Sequence, residues 1–314
     1  MTNYNKYKKI KSILFYQRLD NFLKKKLKGI KTSLVYRLIR KGFIRINNKT
    51  VTAKNKLQLG DKIRIPILYI NKNQININET LRFSFSNTIT YESNDWFIVN
   101  KPSGFAVHGG CIGNIGLIDA LFLIRKDLNF IYLVHRLDKN TSGCLLLAKS
   151  INFLLFINFA FKNKYVEKCY LALVEGAWPI KFTYISAPIK KYKLHQNRVH
   201  YNIVNQLGKP SYTFFEICNK FTGFTLIKVF PITGRMHQIR VHTAYLGHPL
   251  LGDEKYGSIF GKKFSLYLKL KRLFLHSYFL RFPELKSGYF IQIKTKLDKD
   301  LFLVLNRANT YLTY

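Results

Sequence analysis

Apolar residues recur at helical spacing in RLDNFLKKKL (18–27), where Leu19, Phe22, Leu23 and Leu27 share one face. After a turn at Gly29, Thr32 or Ser33 can cap a second helix over SLVYRLIRKG (33–42). Its apolar side is Leu34, Leu38 and Ile39; Arg37, Arg40 and Lys41 lie on the other side, and Gly42 ends it. The pattern then shifts to period two. FIRINNKTV (43–51) predicts a hairpin turning at Asn47–Lys49, and DKIRIP (61–66) a short strand stopped by Pro66. Residues 71–90 are polar and asparagine-rich and predict a linker or an irregular strand. Beyond them short strands dominate: WFIV (96–99), CYLALVEG (169–176), YTFFEIC (212–218), FTLIKVF (224–230) and YFIQIKTKL (289–297), with FTGF (221–224) turning between two of them. Helical patterns are fewer: IGLIDALFLIRK (115–126), SINFLLFINFAFKN (150–163) and HQIRVHTAYLG (237–247). LKLKRLFL (268–275) fits a strand as well as a surface helix. With no βαβ alternation and no repeat, this predicts an α+β fold: a small two-helix module with a small sheet, then a larger domain on a mostly antiparallel sheet with flanking helices.

Charge sharpens that division. The chain of 314 residues carries a formal +36. Residues 1–70 hold 19 Lys and Arg against Asp20 and Asp61, a net +17; the remaining 244 residues carry +19. A field of this size attracts polyanions, and its spread through folded-looking sequence favours nucleic acid over a membrane surface or an acidic protein. The four cysteines (111, 144, 169, 218) have no CxxC spacing, which disfavours a zinc ribbon and fits buried or free thiols in a reducing compartment. The N-terminus has only ILFY as an apolar run, too short for a signal core. A soluble cytoplasmic protein without a membrane partner is expected.

The small module resembles an S4 RNA-binding domain through RLDNFL, SLVYRLIRKG, the hairpin and LGDKIRIP, in that order. The resemblance implies that the second helix and hairpin, with Arg37, Arg40, Lys41 and Arg45, face structured RNA through phosphate contacts. Downstream, NKPSG (100–104), AVHGG (106–110), HRLDKNTSGCLLLAKS (135–150), EKCYLALVEG (167–176), FPITGRMHQIRVH (230–242), LGDEKYG (251–257) and RLFLHS (272–277) occur in one order. That ordered set resembles the ribosomal large-subunit pseudouridine synthases with the HRLD signature, closest to the synthase C subgroup. It implies a basic tail at 1–16, an S4-like domain at 17–70, a linker at 71–90 and a catalytic domain at 91–314.

The resemblance also implies a reaction: isomerisation of chosen uridines in large-subunit (23S) ribosomal RNA. The bond from C1′ to N1 breaks, the base turns, and C1′ rejoins through C5. The sugar passes through an oxocarbenium-like state that a carboxylate can attack or stabilise; abstraction of a sugar proton is an alternative step. The resemblance assigns that carboxylate to Asp138. It sets Tyr170 against the uracil, able to stack and manage the C5 proton, and pairs Arg235 with Asp138 to keep it ionised. Arg136 fills the gap left by the flipped uridine, Leu275 packs near the base, and His135 joins the substrate-binding set. Gly234 eases a tight turn into the helix that follows. The signature more often has Asp at position 140 and Thr at 236; here they are Asn140 and Met236. An isomerisation needs no cofactor. His237 and His242, five apart, do not match a helical zinc pair, and GFAVHGGCIGNIG (104–116) lacks the GK[ST] of a P-loop, so no metal or nucleotide cradle is expected. The expected partner is large-subunit ribosomal RNA or the assembling subunit, bound by a monomer. Two other classes compete: a ribosome-binding or assembly factor that keeps the fold without the chemistry, and a peripheral membrane protein using its charge.

Overall fold

The computed structural model describes residues 5–9, 17–27, 32–40, 42–66, 87–107, 116–125, 127–128, 131–193, 199–203, 207–285 and 287–310. They belong to two units, Met1–Asn76 and Ile77–Tyr314. The Gly29 turn, Lys41, His108 and most of both the 71–90 linker and the glycine-rich 104–116 stretch lie outside the described residues.

In the first unit, β1 (Asn5–Lys9) precedes α1 (Leu19–Lys26) and α2 (Thr32–Arg40), followed by β2 (Arg45–Ile46), β3 (Lys49–Thr50) and β4 (Lys62–Pro66). The sheet runs β1-β4-β2-β3, so part of the basic tail is an edge strand, antiparallel to β4. Leu19, Phe22 and Leu23 of α1 bury against Val35 and Ile39 of α2 and Ile44, Leu57 and Ile63 from the strands. Val35, not named from the pattern, is buried in this core with Ile39. After α2 the chain reverses at Gly42, whose φ of +70° suits a residue without Cβ. The hairpin turns through Asn47 and Asn48, with φ of 49° and 63°. That is the left-handed pair a two-residue turn needs, which Asn tolerates. Asp20 and Asp61 are both buried. Asp20 takes a fork from Arg18 at 3.1 and 2.7 Å and the Tyr36 hydroxyl at 2.8 Å. Asp61 accepts from Asn47 Nδ2 and the Gln58 amide.

The second unit is built on a large sheet. In chain order it contributes β5 (Ile89–Glu92), β6 (Trp96–Lys101), α3 (Leu117–Ile124), β7 (Tyr132–Leu133), β8 (Ser142–Ala148), α4 (Ile151–Lys162), β9 (Glu167–Glu175) and β10 (Tyr184–Ser186). There follow β11 (Ile189–Lys193), β12 (Val199–Ile203), β13 (Tyr212–Phe221), β14 (Phe224–Pro231), α5 (Gln238–Tyr245), α6 (Ile259–Tyr267), β15 (Leu275–Pro283), β16 (Phe290–Lys294) and α7 (Lys299–Thr310). The order β10-β13-β14-β9-β15-β8-β6-β5 is antiparallel except where β15 meets β8; β16 adds to β15, β7 to β8, and β11 pairs with β12. Residues 268–274, read as strand or helix from their alternation, are neither; regular structure resumes at Leu275.

β8 is buried along its whole length. Leu145 and Leu147 enter one core with Phe97, Val99, Ala172 and Leu275, while Cys144, Leu146 and Ala148 enter another with Ile98, Phe153 and Ile157 of α4. Such a strand has no polar face and hence no alternation to read. Ser150 caps α4 by accepting from the Phe153 amide. At Gly143 the sheet demands glycine twice over: φ is +105°, and a Cβ would lie 2.3 Å from the Ser277 carbonyl of the parallel neighbour. That close approach places the loop before β8 beside the start of β15.

Candidate active site

The loop between β7 and β8 carries HRLD, and four elements of the second unit meet around it. A cavity of about 580 Å³ is lined by Arg136 and Asp138 from this loop, Tyr170 from β9, Leu275 from β15 and the 231–240 segment between β14 and α5. Lys162, Lys164 and Lys168, from the end of α4 and the start of β9, form another stretch of its wall. A smaller cavity is also lined by Asp138, with Arg136, Met236, His237 and Arg240.

Asp138 is partly exposed, its side chain 22% accessible. The turn that holds it closes through the Thr141 amide to the Asp138 carbonyl at 3.1 Å. Lys101 anchors the same turn from behind. Its buried Nζ donates to the carbonyls of Pro102 and Phe105, each at 2.9 Å, and of Lys139 at 3.1 Å. Three carbonyls match the three hydrogens of an ammonium. Burial pulls Lys101 down to about 7, opposed by Asp298 and Asp138. NKPSG therefore contributes a clamp that joins β6 to the HRLD turn.

Arg235 is not the partner of Asp138. Its Nε donates to the Pro210 carbonyl at 3.1 Å, and its own amide goes to Gln238 Oε1 at 3.0 Å. His237 faces Asp138 instead, at 3.9 Å from Nε2 to Oδ2. The nearby arginine is Arg240, one turn into α5. Its fork to Asp253 is 2.7 and 2.6 Å long, nearly buried. Burial works against the charge on Asp253, yet Arg240 and the amides of Lys255 and Tyr256 hold its carboxyl below the usual range. Burial likewise opposes the charge on Arg240, but Asp253, with Asp138 behind it, raises its pKa. Arg240 and Asp138 line the same cavity.

Gln238 explains why this segment folds as it does. Its Oε1 accepts from Thr233 Oγ1 and the Arg235 amide, and its Nε2 donates to the Tyr212 carbonyl and Thr213 Oγ1. One buried carboxamide thus pins the approach to α5 onto β13. The left-handed residue there is His237, φ 56°, rather than Gly234, at which no positive φ occurs and a Cβ would meet open space.

Tyr170 and Leu275 are buried in the core beneath the cavity and both line it. Burial, opposed by a hydrogen bond with Ser277, pushes the Tyr170 phenol above its usual range, so it stays protonated at neutral pH. Arg136 is exposed at the mouth. His135 also lines the cavity; its Nε2 accepts the Leu146 amide of β8 at 3.0 Å, and its ring packs on Phe161 at 5.3 Å. Burial pulls it down to about 3, as the acceptor role requires. In the first unit, Arg37 and Arg40 lie on the side of α2 away from its core, whereas Arg45 ties the hairpin by donating to the Gly42 carbonyl at 2.9 Å.

Lys101, His237, Arg240, Asp253 and Tyr256 all lie inside segments that stood out in the chain, yet none was singled out as part of the site. The available signal for Asp253 was scarcity: an acid at a glycine-flanked turn in so basic a chain calls for a buried cation. Among the described residues, no three His, Cys, Asp or Glu side chains gather as a metal group, and no helix is long and apolar enough to cross a membrane.

Residues 95–245 match the RNA pseudouridylate synthase family and residues 17–63 the S4 domain. The chain is 42% identical over 294 residues to ribosomal large subunit pseudouridine synthase C of Haemophilus influenzae, covering 93% of this chain and 91% of the relative. It is also 42% identical to the synthase of the same name from Buchnera aphidicola, over 90% of each chain. The solved structure of human RNA pseudouridylate synthase domain containing 1 superposes with a TM-score of 0.56 at 28% identity, over 67% of this chain and 83% of that one. The chain belongs to the RNA pseudouridylate synthases, with an S4 domain preceding the catalytic one in sequence.

Proposed function

We propose that this enzyme isomerises specific uridines of large-subunit ribosomal RNA, the substrate for which its bacterial relatives are named. The observation that carries the mechanism is the placement of one partly exposed carboxylate, Asp138, in a cavity with a buried phenol and a braced guanidinium. A base stacked in a helix cannot present its glycosidic bond to a side chain within a cavity, so the uridine enters flipped, with Arg136 filling the vacated stack. As the C1′–N1 bond breaks, positive charge develops at C1′ and Asp138 stabilises or captures it. The uracil anion turns against Leu275 and Tyr170, C5 bonds to C1′, the C5 proton leaves and N1 takes up a proton. Atoms and electrons balance within the nucleoside, so no oxidant or group donor enters.

Tyr170, protonated at rest, serves better as a hydrogen-bond donor to the turning uracil than as the base that takes the C5 proton. Lys162, Lys164 and Lys168 suit phosphates flanking the flipped nucleotide, and the S4 unit adds sequence-independent grip. Every group lies in one chain, so a monomer suffices. The test is to treat unmodified large-subunit rRNA with wild type and Asp138→Ala, then map carbodiimide adducts by primer extension. Discrete stops from wild type alone are expected. Tight binding without stops, on free RNA and on partly assembled subunits, would instead make the chain a non-catalytic ribosome-binding factor.

A further inference from the structure

His237 caps α5 in the left-handed region, φ 56° and ψ 21°, without a side-chain cap bond. A side chain other than glycine held there carries backbone strain that surrounding contacts must offset, and such strain clusters at functional sites. The contacts are specific. His237 Nδ1 lies 3.1 Å from the Tyr256 hydroxyl, the two rings edge-on with centroids 5.7 Å apart, and His237 Nε2 faces Asp138 Oδ2 at 3.9 Å.

Tyr256 is itself fixed. Its amide and that of Lys255 donate to Asp253 Oδ1 at 3.1 and 2.9 Å, and the Arg240 guanidinium lies 5.0 Å above its ring. The tautomer follows from charge. If Tyr256 donates to Nδ1, the ring hydrogen sits on Nε2 and points its positive end at the carboxylate. The other tautomer would turn a lone pair toward it, which repels. Asp138, Arg240, Lys255 and Asp253 are the charged groups around the ring; burial keeps it neutral, pulled down to about 4.

We propose that Tyr256 and His237 form a brace that orients Asp138: Tyr256 fixes the imidazole tautomer, and the His237 Nε2–H engages Oδ2 when RNA closes the site, leaving Oδ1 for the sugar carbon. A catalytic bond that is long without substrate and tightens in the complex is common. His237 and Tyr256 are positioning residues. The inference rests on Asp138 being the reactive carboxylate.

Turnover of the full chain on an unmodified large-subunit rRNA transcript tests it, with Tyr256→Phe, His237→Ala, His237→Gln and Asp138→Ala in parallel. Tyr256→Phe deletes one oxygen and keeps the packing, so it guards against a misfolded His237 variant. Both Tyr256→Phe and His237→Ala are expected to lower kcat by roughly 10- to 100-fold, the usual loss when a partner orienting a reactive group is removed, with KM little changed. His237→Gln, which supplies an amide donor to Asp138 and an acceptor to Tyr256, restores most of kcat. Wild-type kcat in either Tyr256→Phe or His237→Ala, a loss confined to KM, or a Gln variant no better than Ala would overturn the brace. Turnover by Asp138→Ala would remove the reading beneath it instead.

Discussion

The two units treat their cations differently. In the first, both acids of the basic 1–70 stretch are hidden: Asp20 under Arg18 and Tyr36, Asp61 under the hairpin. Hydrogen bonds to the fold consume their charge, and helix cations such as Lys24, Lys25, Lys26 and Arg40 stay at the surface. In the second, cations go inside. Lys101 is buried on three carbonyls, Arg240 on Asp253, and Arg272 is largely covered beside Asp298. Exposed cations on a frame with its acids hidden suit a grip on phosphates of any sequence. Buried basic groups held by fixed acceptors suit a site whose parts must stay in place.

The largest effect that could break this contrast is at Arg240. Arg240→Ala strands the buried Asp253 and is expected to destabilise the second unit by about 3–5 kcal/mol and to abolish turnover. Arg235→Ala should cost far less of both, since Asp138 does not lean on it. Replacing Arg240 and Asp253 together with Met and Leu should recover stability in a denaturant melt but not activity. Recovery of both would show the pair to be scaffolding alone.

In the first unit the expected effect is on binding. Neutralising Arg37, Arg40 and Lys41 together should weaken affinity for RNA across sequences. The slope of log K against log salt should shrink by roughly one per lost phosphate contact. An unchanged slope would remove that face from the interface.

Histidines separate the units by pH. All eight lie beyond residue 76. Burial lowers His135 to about 3 and His237, His242 and His276 to about 4. These groups stay neutral in the folded unit but take up protons near pH 6.5 when it unfolds. Their contribution is therefore full above pH 6.5 and is lost as pH falls toward 4. Urea midpoints of the second unit should drop between pH 6.5 and 5, while those of the first hold steady. Equal drops would contradict the assignment. The smallest effect concerns the hairpin: Asn48→Gly, at φ 63°, should stabilise the first unit by about 0.5 kcal/mol. Asn47→Gly should not, because Asn47 bonds Asp61 and the Lys62 amide.

Legibility in the sequence followed the same division. The first unit's helices and hairpin were readable because each element has one wet face and one dry face, which gives a period. β8 was missed as a strand because both faces are dry. At the site, Asp138, Arg136, Tyr170 and Leu275 were named from the order of motifs, and they line one cavity. The choice between Arg235 and Arg240 was not readable. Both stand in GRMHQIR and both line the cavity, and only the acid at 253 decides which guanidinium is held fixed there. Lys101 was hidden because a lysine beside a proline reads as surface until its acceptors are known.

The most direct measurement compares wild type and Asp138→Asn in one experiment: single-turnover pseudouridine formation on large-subunit rRNA beside equilibrium affinity for the same RNA. Loss of product with affinity within a few-fold of wild type is the result predicted, because the proposed mechanism has the carboxylate act on C1′ and gives it no part in phosphate contact. Product formed at the wild-type rate, or affinity lost with the fold intact, would contradict the claim that one unit's exposed cations bind while Asp138, in its frame of buried cations, reacts.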